Sequence, residues 1–249
     1  MACTDPLPIL FDDAGLFIVD KPHGLDVTAP PSGESVITRL REQLGLDPED
    51  YLTAIHRLDR PTAGLLMVAR KKSVAKLMSQ QFVARRVGKE YHAEVRGRVE
   101  IDDGETTWID GIAKRRGVAA VDVVDLSHEH AKRAETVVRV IEHSSATTRL
   151  SVRPLTGRMH QIRAQAARRG HPVVGDTLYD PARSEDPPSV PAAAGNNGSH
   201  PSNPVDAAPI PRRVELTAEQ LTFFHPRTAA STTVRRVPPR GLPADGGGG

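Results

Sequence analysis

Asp59 stands between two arginines in the segment His56-Arg57-Leu58-Asp59-Arg60-Pro61-Thr62-Ala63-Gly64-Leu65-Leu66. Cationic neighbours hold a carboxylate in its ionised form, because protonating it would forfeit their attraction. Such a group suits nucleophilic or electrostatic work better than proton donation. Two guanidiniums around one carboxylate also leave positive charge for a phosphate backbone, so the segment points to chemistry on a polyanion. The plain alternative is a surface ion pair, and taken alone it is the simpler account of Asp59. Tyr91 offers an aromatic face and a hydroxyl, against the commoner case of a core tyrosine with a satisfied oxygen. Arg163 follows His160 by three positions, so on a helix the two share a face. A basic helix exposed to water is the alternative there.

A metal centre can be imagined from His56, Asp59, His160, His171 and Asp176. No His-Glu-x-x-His pattern occurs, however, and Arg57, Arg60, Arg158 and Arg163 interleave those ligands, which disfavours a dication. A phosphate-cradling Walker loop and a Gly-x-Gly-x-x-Gly turn are both absent, so neither metal nor nucleotide cofactor is expected.

The 249 residues suffice for one sizeable domain with flexible segments. A formal net charge of +2 does not by itself call for nucleic acid, but its distribution is uneven. Between His143 and Gly175 there are six arginines and no acidic residue. Cys3 is the only cysteine, which rules out an internal disulfide and fits a reducing cytosol. No apolar run approaches the roughly 20 residues that cross a bilayer, and the first residues lack a basic region followed by an apolar one. A soluble cytoplasmic protein with no membrane partner is expected.

The elements that must position these groups follow from periodicity. Leu16-Phe17-Ile18-Val19 reads as a strand delivering the loop Lys21-Pro22-His23-Gly24. Residues 35–44 have helical apolar spacing and end at Gly45. Thr53–His56 reads as a strand entering the acidic loop and Gly64–Ala69 as a buried strand leaving it, which puts Asp59 on a loop between rigid elements. A helix is expected over 72–84 and a strand over 89–96, with Tyr91 turned toward the core or a cleft. More strands are expected around 107–112, 118–124, 134–141 and 148–152. A helix is expected over 158–169, capped by Thr156 and stopped by Gly170. Residues 181–211 are rich in Pro, Ala, Ser, Asn and Gly and read as a disordered insertion. Residues 214–224 regain a core-like pattern, and 228–249 read as a flexible basic and glycine-rich tail.

Four ordered blocks resemble the RNA pseudouridine synthases, in the branch typified by large-ribosomal-subunit pseudouridine synthase A. They are Lys21–Gly24, His56–Leu66, Lys89-Glu90-Tyr91-His92-Ala93, and Thr156–Arg163 continuing through Gly170–Tyr179; Leu216–Pro226 is a fifth, weaker one. The resemblance implies an α+β fold, a long, mainly antiparallel mixed sheet with flanking helices and a central active-site cleft. It also implies a cofactor-independent isomerisation of uridine in ribosomal or transfer RNA. The N1 to C1' bond breaks, the base rotates, and C5 bonds to C1'.

By the same resemblance Asp59 is the catalytic aspartate, Tyr91 the active-site tyrosine and Arg163 the basic partner of the aspartate. Arg57 is the arginine that fills the gap left by a flipped nucleotide. Lys21, Arg60, Arg158, His160 and Gln161 are expected to contact the RNA, with the basic helix and the tail as further contacts. Cleaving a glycosidic bond develops oxocarbenium character that a fixed carboxylate can stabilise or trap. Attack on the sugar, attack on the base and removal of a sugar proton are all compatible with these residues. Ala63 stands where the family usually has serine, and Thr217 where it has histidine. The small N-terminal RNA-binding domain of many relatives is expected to be absent.

The expectation is therefore one catalytic domain over 1–227, interrupted by 181–211, acting as a monomer on RNA. A noncatalytic RNA-binding or ribosome-assembly factor is the competing class. A glycosidase would need a second carboxylate in a matching motif, and none is present.

Overall fold

The computed structural model describes residues 5–28, 33–102, 104–180 and 213–236. The expected insertion at 181–211 lies outside the described residues. The region expected as one catalytic domain is built from two compact units, one of Met1–His92, Ser151–Leu155 and Leu216–Gly249, the other of Ala93–Leu150 and Thr156–Glu215.

The first unit contains β1 (Ile9–Asp13), β2 (Leu16–Lys21), α1 (Val36–Gln43), β3 (Thr53–Ala54), β4 (Ala63–Ala69), α2 (Lys72–Val83), the start of β5 (Gly88–Arg96), β10 (Leu216–Phe224) and β11 (Ser231–Arg235). Its strands run in the order β1-β2-β4-β10-β5, with β3 on β4 and β11 on β10. The β4–β10 pair is parallel, whereas β1–β2, β2–β4 and β10–β11 are antiparallel. Every residue of β4 is buried, as expected of an apolar run flanked on both edges and covered by α2. Phe17, Ile18, Leu65, Leu66, Met78, Leu221 and Phe223 form the interior. Ser35 caps α1 by a reciprocal pair of bonds with Thr38, which satisfies two donors at the helix start.

The second unit holds the end of β5, then β6 (Thr106–Lys114), β7 (Val121–Val124), β8 (Lys132–His143), the start of β9 (Thr147–Pro154) and α3 (Gln161–Arg168). Its strands run β9-β8-β6-β7, antiparallel at β8–β6 and β6–β7. The architecture is α+β with mainly antiparallel strands, as the resemblance implies. No helix of the described residues is long and apolar enough to cross a membrane.

Three expectations are corrected. The tail expected from residue 228 begins with strand β11, whose Val234 is buried against the sheet. The helix near 158 starts only at Gln161, and its cap position is His160 in a left-handed conformation, φ 51°. Thr156 does not cap it, because its hydroxyl donates to the Gln161 side chain. The basic helix is also not a solvent-facing surface: Gln161 through Ala166 are all buried.

Candidate active site

Asp59 sits on the turn between β3 and β4, where its carbonyl accepts from the Thr62 amide. This turn is held from outside by the loop that follows β2. Lys21 is completely buried, and its ammonium donates to the carbonyls of Pro22, Leu25 and Arg60 at 3.0, 2.7 and 3.0 Å. The Gly24 amide donates to the same Arg60 carbonyl at 2.9 Å. His23 Nδ1–H donates to the Pro61 carbonyl at 2.9 Å, and Arg60 Nε returns a bond to the Gly24 carbonyl at 3.0 Å. The Lys21–Gly24 and His56–Leu66 blocks are thus two sides of one clamp. Neither side chain nor turn chemistry of the acidic segment alone would fix Asp59.

Lys21 was expected to contact RNA, and the structure corrects this: an ammonium has three protons, and all three are engaged with carbonyls. Burial pulls its pKa down from 10.5 to about 8, against the attraction of Asp26 and Asp59 and with the repulsion of Arg60. Lys21 is therefore a buried cation within electrostatic reach of Asp59, which sequence reasoning did not connect with it. Arg57 and Arg60, the neighbours expected to do this, are exposed. The Arg57 guanidinium has no hydrogen bond or ion pair among the described residues.

Tyr91 is buried on β5, as its alternation predicts. Its phenol is pushed well up from the ordinary value, first by burial and then by the negative charge of Asp59. The hydroxyl is thus held protonated and can donate a hydrogen bond or a proton, but not act as a base. His56 has another task than metal binding beside Asp59. Its Nε2 accepts from the Met67 amide at 3.1 Å, its ring stacks on Phe82 at 5.0 Å, and burial and the nearby Lys89 charge lower its pKa to about 4. It is a neutral acceptor tying the acidic loop to β4. Among the described residues no group of three or more His, Cys, Asp or Glu side chains could hold a metal ion.

In the second unit Arg163 is buried and meets Asp176 through a two-point fork, Nε to Oδ2 at 2.6 Å and a terminal nitrogen to Oδ1 at 2.8 Å. Asp176 Oδ1 also accepts from the amides of Leu178 and Tyr179 at 3.0 and 3.2 Å. The Tyr179 ring lies 5.2 Å from the Arg163 guanidinium carbon, and its hydroxyl is 2.9 Å from His160 Nδ1. Asp176 is the positioning residue that sequence reasoning missed; its place in the Gly175-Asp176 block was the available signal. A bidentate carboxylate fixes the plane of the guanidinium as well as its position.

Gln161 was expected to touch RNA and is corrected likewise. Its Oε1 accepts from the Arg158 amide and the Thr156 hydroxyl, while its Nε2 donates to the Glu135 carbonyl and the Thr136 hydroxyl. With all its capacity used inside, it braces the start of α3. Three of the six arginines between 143 and 175 meet carboxylates within the fold: Arg163 meets Asp176, Arg169 meets Asp110 at 2.9 Å and Arg149 meets Glu142 at 3.6 Å. Arg158 is half-buried, with Nε donating to the Arg133 carbonyl at 3.0 Å.

The family model described as RNA pseudouridylate synthase matches residues 15–168. The chain is 32% identical over 236 residues to the dual-specificity RNA pseudouridine synthase RluA of Vibrio vulnificus, covering 90% of this chain and 81% of that protein. It is 30% identical over 241 residues to the tRNA pseudouridine synthase C of the same organism, covering 92% and 89%. Among solved structures, human RNA pseudouridylate synthase domain containing 1 superposes with a TM-score of 0.69 at 24% identity, over 93% of this chain and 83% of that one. That likeness carries the fold. The family model matches more than half of the chain and these curated relatives are matched over most of their length, so the chain belongs to the RNA pseudouridylate synthase family and is an isomerase of uridine in RNA.

Proposed function

We propose that this isomerase acts on ribosomal or transfer RNA, with Asp59 as its catalytic carboxylate, Tyr91 beside it and Arg163 as the guanidinium that supports the carboxylate. The observation that carries this reading is the Asp59 turn clamped by the fully buried Lys21, and it is supported by the buried Tyr91 of β5, whose phenol is pushed up by burial and by the Asp59 charge. Breaking the N1 to C1' bond leaves positive character on the sugar, which a fixed anion stabilises. The freed uracil rotates, forms the C5 to C1' bond and loses the C5 proton, while N1 gains one; nothing else is consumed. A protonated Tyr91 gives the base an aromatic face and a donor. The target nucleotide leaves its stack at a cost of a few kcal/mol, and exposed Arg57 offsets part of it by filling the vacated space. The relatives named for transfer RNA and for dual specificity support the RNA class.

Asp59→Asn abolishes tritium release from 5-tritiated uridine in RNA and leaves RNA affinity within about tenfold, or about 1.4 kcal/mol. Retained turnover refutes the assignment. The reading includes a monomer working in the cytoplasm without metal; light scattering of the purified protein and activity after chelation test the first and last points.

A further inference from the structure

The second unit contains a cavity of about 590 Å³ in which none of Asp59, Tyr91 and Arg163 takes part. Its apolar floor is formed by Ile112, Val121 and Met159, and Lys114, Lys132 and Arg158 stand around it. The volume lies within the roughly 300–1,000 Å³ of small-ligand pockets.

The floor is rigid. Ile112 and Val121 belong to a buried cluster with Ala134 and Ala164, against which Met159 and Tyr179 pack. The Val121 amide donates to the Tyr179 hydroxyl at 3.0 Å. One wall is an ordered turn: Asp125 accepts from the amide and hydroxyl of Ser127, and the Ala131 amide donates to the His128 carbonyl. Positive charge predominates on the rim. Lys114 and Lys132 are exposed and have no ion pair among the described residues, and the backbone bond of Arg158 Nε leaves its positive charge unneutralised. The one acidic lining residue, Glu129, lies 3.4 Å from His130.

We propose that this cavity takes a second, unstacked nucleotide of the substrate RNA, distinct from the reacting uridine. Its base lies on the Met159 floor, and its phosphates lie among Lys114, Lys132 and Arg158. The proposal rests on the RNA reading of the family. An apolar floor ringed by cations matches an unstacked base on its sugar-phosphate, since RNA-reading proteins take splayed bases on apolar surfaces and their phosphates on Lys and Arg. Thioether sulfur packs favourably on aromatic faces, which suits Met159 to a base of any identity.

The test is fluorescence anisotropy of the full chain with unmodified transfer RNA transcript and, separately, ribosomal RNA fragments, over a range of salt. Lys114→Gln/Lys132→Gln is expected to flatten the slope of log affinity against log salt by about 1.4, because each single-strand phosphate contact contributes about 0.7. Met159→Ser is expected to weaken binding about fivefold at unchanged slope, and Met159→Leu, which keeps volume and apolarity, to restore it. An unchanged slope in the lysine variant overturns the proposal. A flattened slope with wild-type affinity in Met159→Ser also overturns it, leaving a basic surface with no base in the cavity; so does the absence of binding to either RNA. Tritium release by the wild type, measured on the same preparations, separates failure of this proposal from failure of the Asp59 assignment.

Discussion

Asp59 depends on atoms that its own segment does not supply. The turn around it is closed by an ammonium at the end of β2 and an imidazole from the loop that follows, and the buried Lys21 charge faces both Asp26 and Asp59. This makes Lys21 a group whose protonation matters to the fold. Native Lys21 releases its proton at about 8, whereas an unperturbed lysine holds it to 10.5. Between those values the unfolded chain binds more protons, so this residue's contribution to stability rises with pH; below about 8 both states are charged and the cost of burying the ammonium is constant. Lys21→Met has no proton to exchange there. The unfolding free energy of the wild type relative to this variant should therefore grow by on the order of 3 kcal/mol from about pH 7 to about pH 10.5. Urea titrations at both ends check this, and a flat difference would show that the clamp does not carry a depressed lysine. In the sequence Lys21 is a cation of the Lys21–Gly24 block, and the resemblance made RNA contact the expectation. Its real partners are backbone carbonyls, and residue types do not reveal those.

At the scale of elements, the acidic loop is only as well placed as β4. Lys21 pairs with Gly64 across the β2–β4 register, and Ala218 of β10 pairs with Gly64 on the other side. A Cβ at Gly64 would lie 2.2 Å from the Ala218 carbonyl oxygen, and its φ of +103° is one that side-chain-bearing residues rarely adopt. Gly64→Ala should therefore cost about 3 kcal/mol or more and lower the melting temperature by roughly 6–12 °C or more. Gly24 is the control, since its φ is also positive, +77°, but nothing lies within 4 Å of an added Cβ. Gly24→Ala should lose only the conformational part, about 1 kcal/mol. Equal losses in the two variants would mean that the close approach of β10 contributes nothing. The two departures from the family pattern, Ala63 and Thr217, are register partners on these same strands, so they belong to one site in the sheet. Most strands were legible because burial on β2, β4, β5 and β10 leaves continuous or alternating apolar patterns. Strands β1 and β11 were not. Ile9–Asp13 has no fully buried residue and Ser231–Arg235 has one, so neither shows a period. Their order comes from neighbours, including His225, whose Nδ1 accepts from the Arg227 and Thr228 amides and whose Nε2 lies 3.1 Å from Asp13.

For the whole molecule, the sequence misled most where charges are paired over long separations. Arg163 and Arg169 looked like part of an RNA surface, but Asp110 is far from Arg169 in sequence and Asp176 lies beyond the helix, so the pairing of these two was invisible to any local pattern. Continuity of the chain was more readable, and it has a thermodynamic consequence. Strands β5 and β9 each pass from one compact unit into the other, so the two units share continuous backbone in both strands. The single tryptophan, Trp108, is buried on β6 in the second unit with the Arg169 guanidinium carbon 4.8 Å from its ring. Its fluorescence follows that unit, whereas far-ultraviolet circular dichroism follows both. In the full chain the two signals should share one midpoint in urea, as a two-state transition requires. A chain ending at Glu215 lacks β10 and β11, and with them buried Leu216, Leu221 and Phe223 and the strand between β4 and β5. All of that loss falls in the first unit. Because Gly88–His92 of β5 then has no strand on its β10 side, the Trp108 transition should nevertheless broaden and move to lower urea. An unshifted Trp108 transition in the shortened chain would establish that the second unit folds on its own, and that the passage of β5 and β9 between the units carries no cooperativity.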